Sequence, residues 1–231
     1  MTKPTKRQKT MLKHVQEDKI YPLTEALTLV RAMATAKFDE SIDVAVRLGI
    51  DTKHSDQNVR GVADLPKGSG KKVRVAVFCP SAKSEEAKAA GADVIGGKEL
   101  VERLMGGEAI EFERCLATPD MMPEVGKLGR VLGPKGLMPN PKLGTVTDDI
   151  GKTVKAIKGG QVTFRAEKGG IVQASVGRAS FQEDDLQANI KALMAAVLQA
   201  KPQSTKGQYI KGVSISSTMS VGIPVNPSTL S

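Results

Sequence analysis

The stretch Gly126 to Val146 reads GKLGRVLGPKGLMPNPKLGTV and holds five glycines, three prolines, three lysines and one arginine, with no acid. Proline fixes φ and removes a donor, whereas glycine admits φ > 0 and close backbone approach, so the stretch cannot run as one regular helix or strand. The expectation is a tightly turned loop that carries Lys127, Arg130, Lys135 and Lys142 into solvent with nothing local to neutralise them. The chemistry open to such a loop is polyanion binding, weighed against a long surface connection whose lysines are simply solvated. A nucleotide-hydrolase phosphate loop is not present: GSGKK at Gly68 to Lys72 lacks both the leading glycine and the hydroxyl of that motif.

Other reactive residue types are sparse. The chain has only His14 and His54, and its two cysteines, Cys79 and Cys115, stand far apart without a Cys-x-x-Cys or a nearby histidine. Neither a zinc site nor a redox pair is indicated, and no metal or cofactor is expected. The cysteines read as small buried residues on strands in a reducing compartment. No nucleophile and base are spaced as a catalytic pair would be, so an enzyme is the minor alternative, kept open because α/β domains often bind nucleotides or phosphates at strand ends.

The bulk composition agrees with an anionic partner. Among 231 residues, 34 are basic and 25 acidic, giving +9 and a pI near 9.5. With 40% hydrophobic residues the chain can bury a core. Five Phe, two Tyr and no Trp are too few for an aromatic base-stacking platform, so folded shape and phosphates should matter more than stacked bases. No apolar run approaches the roughly eighteen residues of a membrane span, and the basic N-terminus lacks an apolar signal core, so a soluble cytoplasmic protein is expected.

The elements that must position these residues follow from periodicity. Thr2 to Lys13 is basic and acid-free, either a frayed end or an arm against RNA phosphates. Apolar spacing predicts a helix over Thr24 to Ala36 with Thr24 as N-cap, then a half-buried strand in SIDVAVRLG, with Lys37 and Phe38 at the joint. PKGSGKK at Pro66 to Lys72 is a linker signal. Beyond it VRVAVFC, AKSEEAKAAG, ADVIG, KELVERLMGG and FERCLA alternate strand and helix, which argues for a parallel, doubly wound sheet. TDDIGKTVKAIKGG reads as a helix with Asp148 and Asp149 at its positive end and a stop at Gly159. QVTFRA and IVQASVG then read as a hairpin around EKGG, Leu186 to Leu198 as a long amphipathic helix stopped before Pro202, and YIKGVSIS as a last strand.

The two outer pieces are each too small to bury a core alone. The expected fold is therefore mixed α/β and α+β: a split α+β domain over residues 1–66 and 160–231, interrupted by a doubly wound, Rossmann-like three-layer α/β domain over residues 67–159.

GPKGLMPNPK (Gly133 to Lys142) with GTV (Gly144 to Val146) resembles the signature of the large-subunit ribosomal protein one family, the ribosomal stalk protein. ATAKFDESIDVAVRLGID (Ala34 to Asp51), SDQNVRG (Ser55 to Gly61), VRVAVF (Val73 to Phe78), EEAKAAGAD (Glu85 to Asp93) and KGQYIKGVSISSTM (Lys206 to Met219) resemble the same family in the same order, and in its bacterial form. The resemblance implies the same split-domain fold and a structural, non-enzymatic role in the large ribosomal subunit. It implies binding of large-subunit (23S) rRNA at the mobile stalk, help in releasing deacylated tRNA from the exit site, and repression of translation of its own operon mRNA. By that resemblance Lys37, Phe38 and Ser41, and Ser217, Thr218 and Met219 on the last strand, are RNA-binding residues, whereas residue chemistry alone makes Phe38 a core ring. Ser220 stands where the family usually has glycine. Arg165 and Lys168, flanking the hairpin turn, are weaker candidates, and the four cations of the loop form a secondary basic site. A non-ribosomal RNA-binding regulator using the same split domain is the other reading.

Overall fold

Buried apolar residues at Leu23, Ala26, Leu27, Val30 and Met33 form one stripe of a helix, and Ile42, Val44, Val46 and Leu48 form one face of the strand beside it. This pairing of a 3.6-residue and a 2-residue period builds the first of two compact units in a computed structural model that describes residues 5–16, 19–205 and 207–230. Thr2 and Lys3 of the basic arm, and Lys206 of the last resembling segment, lie outside the described residues. Unit 1 comprises Met1–Gly70 with Gly160–Ser231, and unit 2 comprises Lys71–Gly159.

In chain order the elements are α1 (Lys6–Leu12), α2 (Leu23–Met33), β1 (Ser41–Leu48), β2 (Arg60–Asp64), β3 (Val75–Phe78), α3 (Ser84–Ala89), β4 (Val94–Gly96), α4 (Lys98–Met105), β5 (Arg114–Ala117), α5 (Met122–Gly126), α6 (Gly129–Leu132), α7 (Ile150–Gly159), β6 (Gln161–Arg165), β7 (Ile171–Arg178), α8 (Glu183–Gln199), β8 (Ile210–Ser217) and β9 (Ile223–Val225).

Unit 1 is α+β. Its four-stranded antiparallel sheet runs β7-β1-β8-β9, and its inner face packs on α2 and α8, whose Leu186, Ile190, Leu193, Met194 and Val197 are buried. The helix α2 starts one residue before the expected Thr24, because Leu23 belongs to the buried stripe. Its N-cap is Pro22, which makes no side-chain cap. The expected hairpin is altered. Its turn closes, with Glu167 N–H on Ile171 O at 2.9 Å and Gly170 N–H on Glu167 O at 2.9 Å. Past one bridge at Ala166 and Val172, however, β6 leaves β7 and pairs along its length with β2, while β7 pairs with β1. Asn189 on α8, fully buried, takes the Lys67 N–H at 3.1 Å and gives its amide hydrogens to Gly68 O (2.9 Å) and Val176 O (2.7 Å), which fixes the 67–68 backbone to the core of this unit.

Unit 2 is a three-layer α/β sandwich. Its parallel sheet has the order β4-β3-β5. Ala76 and Phe78 point to one face, packed with Leu100, Val101 and Leu104 of α4, and Val75 and Val77 point to the other, packed with Ala87 of α3 and Val154 and Ile157 of α7. Four consecutive buried residues in β3 are what a strand covered on both faces requires. Both cysteines are buried and free, and burial pushes their thiols above the ordinary range, so they are inert core residues.

Candidate nucleic-acid interface

Two polar residues face inward at strand ends in unit 1, Glu40 just before β1 and Ser217 at the end of β8. Glu40 continues the parity of Ile42, Val44 and Val46 on β1, and Ser217 continues that of Val213 and Ile215 on β8. They meet. The Ser217 hydroxyl donates to Glu40 Oε2 at 2.6 Å, and the Met219 N–H donates to the same oxygen at 3.0 Å. On the other oxygen, Oε1, the Ala36 N–H donates at 2.9 Å and Arg7 of α1 at 3.4 Å. Glu40 is 1% exposed. Burial raises its pKa, but the hydrogen bonds from Ser217, Ala36 and Met219 and the Arg7 charge outweigh burial and hold the carboxyl below its ordinary value.

Around this carboxylate the joint before β1 and the end of β8 are locked together. The Thr218 N–H donates to Ser41 O at 3.0 Å, and the Ser41 N–H donates to the Thr218 hydroxyl at 2.9 Å. Arg178, at the end of β7, donates to the Ser41 hydroxyl at 3.0 Å and to Asp39 O at 3.1 Å. Outside the lock, Phe38 is 55% exposed and Met219 50%, with Lys37 and Thr218 also at the surface. A large exposed ring and an exposed thioether on so constrained a backbone form an apolar contact surface with a cation beside it. That arrangement can pack on a sugar or base face while the cation meets a phosphate. Two of the expected contact residues are exceptions: Ser41 is half-buried with its hydroxyl accepting from Arg178, and Ser217 lies deeper. It is 3% exposed and its hydroxyl is spent on Glu40, so it supports the surface from beneath.

Ser220 has a part in the same turn. Its hydroxyl accepts the Ser217 N–H at 2.8 Å and its own N–H donates to Ser217 O at 3.2 Å.

Arg165 and Lys168 are exposed but lie elsewhere. They flank the turn from β6 into β7, and Ser41 pairs with Arg178 at the far end of β7, roughly 23 Å along that strand at ~3.3 Å per residue. There Arg165, Lys168, Thr52, Asn58 and Gln173 line an open depression together with the carboxylate of Glu167. Arg60 stands directly opposite Arg165 in the β2–β6 register, a like-charge pair that an anion would relieve.

The loop of unit 2 departs from expectation in two ways. Leu128 and Leu132 are fully buried, and the chain between them forms the short helix α6, so part of the loop is a core element. Lys127 is neutralised, since it donates to Glu124 at 2.6 Å, a bond that holds the Glu124 carboxyl below its ordinary value. The rest is pinned rather than loose. The Asn140 N–H donates to the Thr145 hydroxyl at 2.7 Å, the Asn140 side chain accepts the Lys142 N–H at 2.9 Å, and Gly144 turns the chain at φ 65°. The Ala117 N–H then donates to Thr145 O at 3.0 Å, which fastens the loop's end to β5. Arg130, Lys135 and Lys142 remain exposed, with no ion pair among the described residues.

The sequence pattern of the ribosomal protein L1p/L10e family matches residues 30–221 of the 231. The chain belongs to the ribosomal protein L1p/L10e family. As an L1-family protein it is a component of the large ribosomal subunit that binds rRNA, and proteins of this kind are generally structural. The L1 match takes in the Phe38–Met219 surface, the Arg165–Lys168 turn and the loop of unit 2. It leaves out α1 and with it Arg7. No helix among the described residues is long and apolar enough to cross a membrane.

Sequence reading missed Glu40, Asp39 and Arg178 in this L1-family protein, and it took Arg7 only as part of a basic arm, whereas Arg7 turns inward to Glu40. Glu40 did carry a signal, because a glutamate on the buried parity of a strand must be paired or neutralised. Arg178 carried none, since its partners are on β1 and the joint before it, more than 130 residues away in sequence.

Proposed function

We propose that unit 1 is the RNA-binding domain, split by unit 2, and that it holds a folded segment of large-subunit rRNA at the mobile stalk. The contact surface is formed by Lys37, Phe38, Thr218 and Met219, with Ser41 and Ser217 holding it. The observation that carries this reading is the pair of half-exposed apolar side chains, Phe38 and Met219, on backbone fixed by a buried carboxylate. Both belong to one joint that Glu40 ties together, unlike exposed apolar residues scattered singly over a surface.

A surface that reads folded shape also accepts a second RNA that reproduces the shape. On that ground the same residues bind the protein's own operon mRNA and repress its translation. Arg130, Lys135 and Lys142 on unit 2, and Arg165 and Lys168 on unit 1, add sequence-independent phosphate contacts. The unit 2 loop, with three exposed cations on a pinned backbone, is assigned to a transient partner, exit-site tRNA. The role is non-enzymatic and the site of action the cytoplasmic ribosome. Buried, protonated thiols, which cannot serve as nucleophiles, support the non-enzymatic part of that reading.

The test is RNA binding across a salt series, comparing the folded stalk fragment of rRNA with an unrelated duplex of equal length. Tight binding to the stalk fragment alone, weakened in Phe38→Ala and Thr218→Ala, is the expected result. Equal binding of both RNAs with a steep salt dependence would reduce the interaction to phosphate attraction.

A further inference from the structure

The surface just described is made of two chain segments that are far apart in sequence, 36–41 and 217–220, and each contributes one exposed apolar side chain. Their relative placement is therefore a matter of what joins them. Two links are visible. One is the ladder between Ser41 and Thr218, an ordinary strand-end pairing. The other is Glu40, which accepts from both segments at once: Ala36 N–H on one oxygen, and Ser217 hydroxyl and Met219 N–H on the other.

We propose that Glu40 is a positioning residue for RNA recognition, acting through Ala36, Ser217 and Met219 to set Phe38 and Met219 at one fixed separation. It is too buried to touch RNA itself. This inference rests on the reading of Phe38 and Met219 as the RNA contact. The chemistry demands a carboxylate. Four donors converge on two oxygens, and only an ionised carboxyl accepts on both sides. A glutamine offers one accepting oxygen and one NH2 group. Wherever it turns, an NH2 faces a backbone N–H, of Ala36 or of Met219, that cannot reverse its polarity. Aspartate is one methylene shorter and cannot reach both segments. Arg7 brings α1 to the same carboxylate, so a helix outside the family match shares in holding the surface.

The experiment measures Kd of the full chain for the stalk rRNA fragment and for an unrelated duplex, over a salt series, with Glu40→Gln, Met219→Ala, their double variant and Phe38→Ala. Amide NMR follows the Met219 and Ala36 N–H signals. The expected result is a folded Glu40→Gln protein whose Met219 or Ala36 N–H signal moves upfield. It binds the stalk fragment at least tenfold more weakly, with an unchanged salt slope and unchanged binding to the unrelated duplex. The double variant should bind little more weakly than Glu40→Gln alone, since a misplaced Met219 has little left to lose. A merely structural role would leave the stalk-to-duplex ratio and this non-additivity unmoved. Wild-type affinity in a folded Glu40→Gln protein, with Phe38→Ala still defective, would overturn the positioning role and leave the contact surface standing. Wild-type affinity in Phe38→Ala would overturn the contact surface itself. If Glu40→Gln does not fold, Ser217→Ala removes one donor and keeps the carboxylate. A loss of about threefold at constant salt slope then supports the role, and no loss overturns it.

Discussion

The Phe38–Met219 surface of unit 1 hangs on a buried carboxylate that takes donors from three separate segments, whereas the cations of the unit 2 loop stand on an apolar anchor and point outward singly. In the first, nearly every polar atom is committed inward and what faces solvent is a ring and a thioether. In the second, Leu128 and Leu132 hold the backbone while Arg130, Lys135 and Lys142 remain uncommitted. The first plan fixes shape, and shape discriminates between partners. The second fixes charge, and charge attracts any polyanion within a Debye length. On the proposed reading, the basic loop conspicuous in sequence would be the less selective of the two surfaces.

The sharpest break between them is Phe38→Ala. An exposed ring packed on a base or sugar contributes about 1–3 kcal/mol, so affinity for the stalk fragment should fall between roughly fivefold and 150-fold. The slope of log K against log salt should not change, because no phosphate contact is lost. Replacing Arg130, Lys135 and Lys142 together by alanine should do the reverse. Binding to any RNA weakens, most at low salt, and the slope falls by about one for each cation that met a phosphate. The preference for the stalk fragment over the unrelated duplex should be kept. Filter binding or fluorescence anisotropy over a salt series separates the two outcomes.

How far these surfaces could be read in advance follows the range of their interactions. Alternation in Val73 to Ala117 gave a parallel sheet covered on both faces, since each of its strands is a local apolar run. The strand β2 went unseen: RGVAD is short and weakly patterned, and its partner β6 comes about a hundred residues later. The EKGG turn was legible from its own chemistry, but that β6 would leave β7 for β2 was not. In the loop, glycine and proline counts concealed Leu128 and Leu132, whose spacing of four is one helical turn. At the surface of unit 1 the exposed residues came from family resemblance, and the carboxylate that holds them was hidden in plain parity with Ile42. Buried polar hubs draw partners from distant segments, and single-residue patterns do not report distant partners.

Acid should also distinguish the two units. Glu40 in unit 1 and Asp93 in unit 2 are both held below their ordinary values. In Glu40 the donors from Ser217, Ala36 and Met219 and the Arg7 charge overcome the larger single effect of burial. In Asp93 the Val75 N–H leads, with Lys158 and Arg74 assisting against burial. A carboxyl with a depressed folded pKa contributes stability that is full above its unfolded value and lost as pH falls through the folded one. Urea midpoints should therefore drop as pH falls below about 4.5 for Glu40 and below about 3.8 for Asp93, the ordinary values of these groups. Each loss belongs to its own unit, Glu40 to unit 1 and Asp93 to unit 2. In Glu40→Gln the unit 1 transition should lose this part of its acid sensitivity while unit 2 keeps its own.

The smallest effect belongs to Ser220, the residue that stands where resemblance leads one to expect glycine. Its hydroxyl takes the Ser217 N–H at 2.8 Å, and Ser217 in turn donates to Glu40, so the serine closes the turn that carries Met219. Ser220→Gly removes that acceptor and loosens the turn by both the lost bond and the added backbone freedom, each about 0.5–1 kcal/mol. Thermal unfolding of unit 1 should shift down by a few degrees. Binding to the stalk fragment should change by no more than about threefold, because Glu40 still holds the Met219 N–H and the ladder still joins Ser41 to Thr218. A gain in affinity of tenfold or more would mean that the serine side chain obstructs the RNA, and that the carboxylate holds a surface which this chain presents imperfectly.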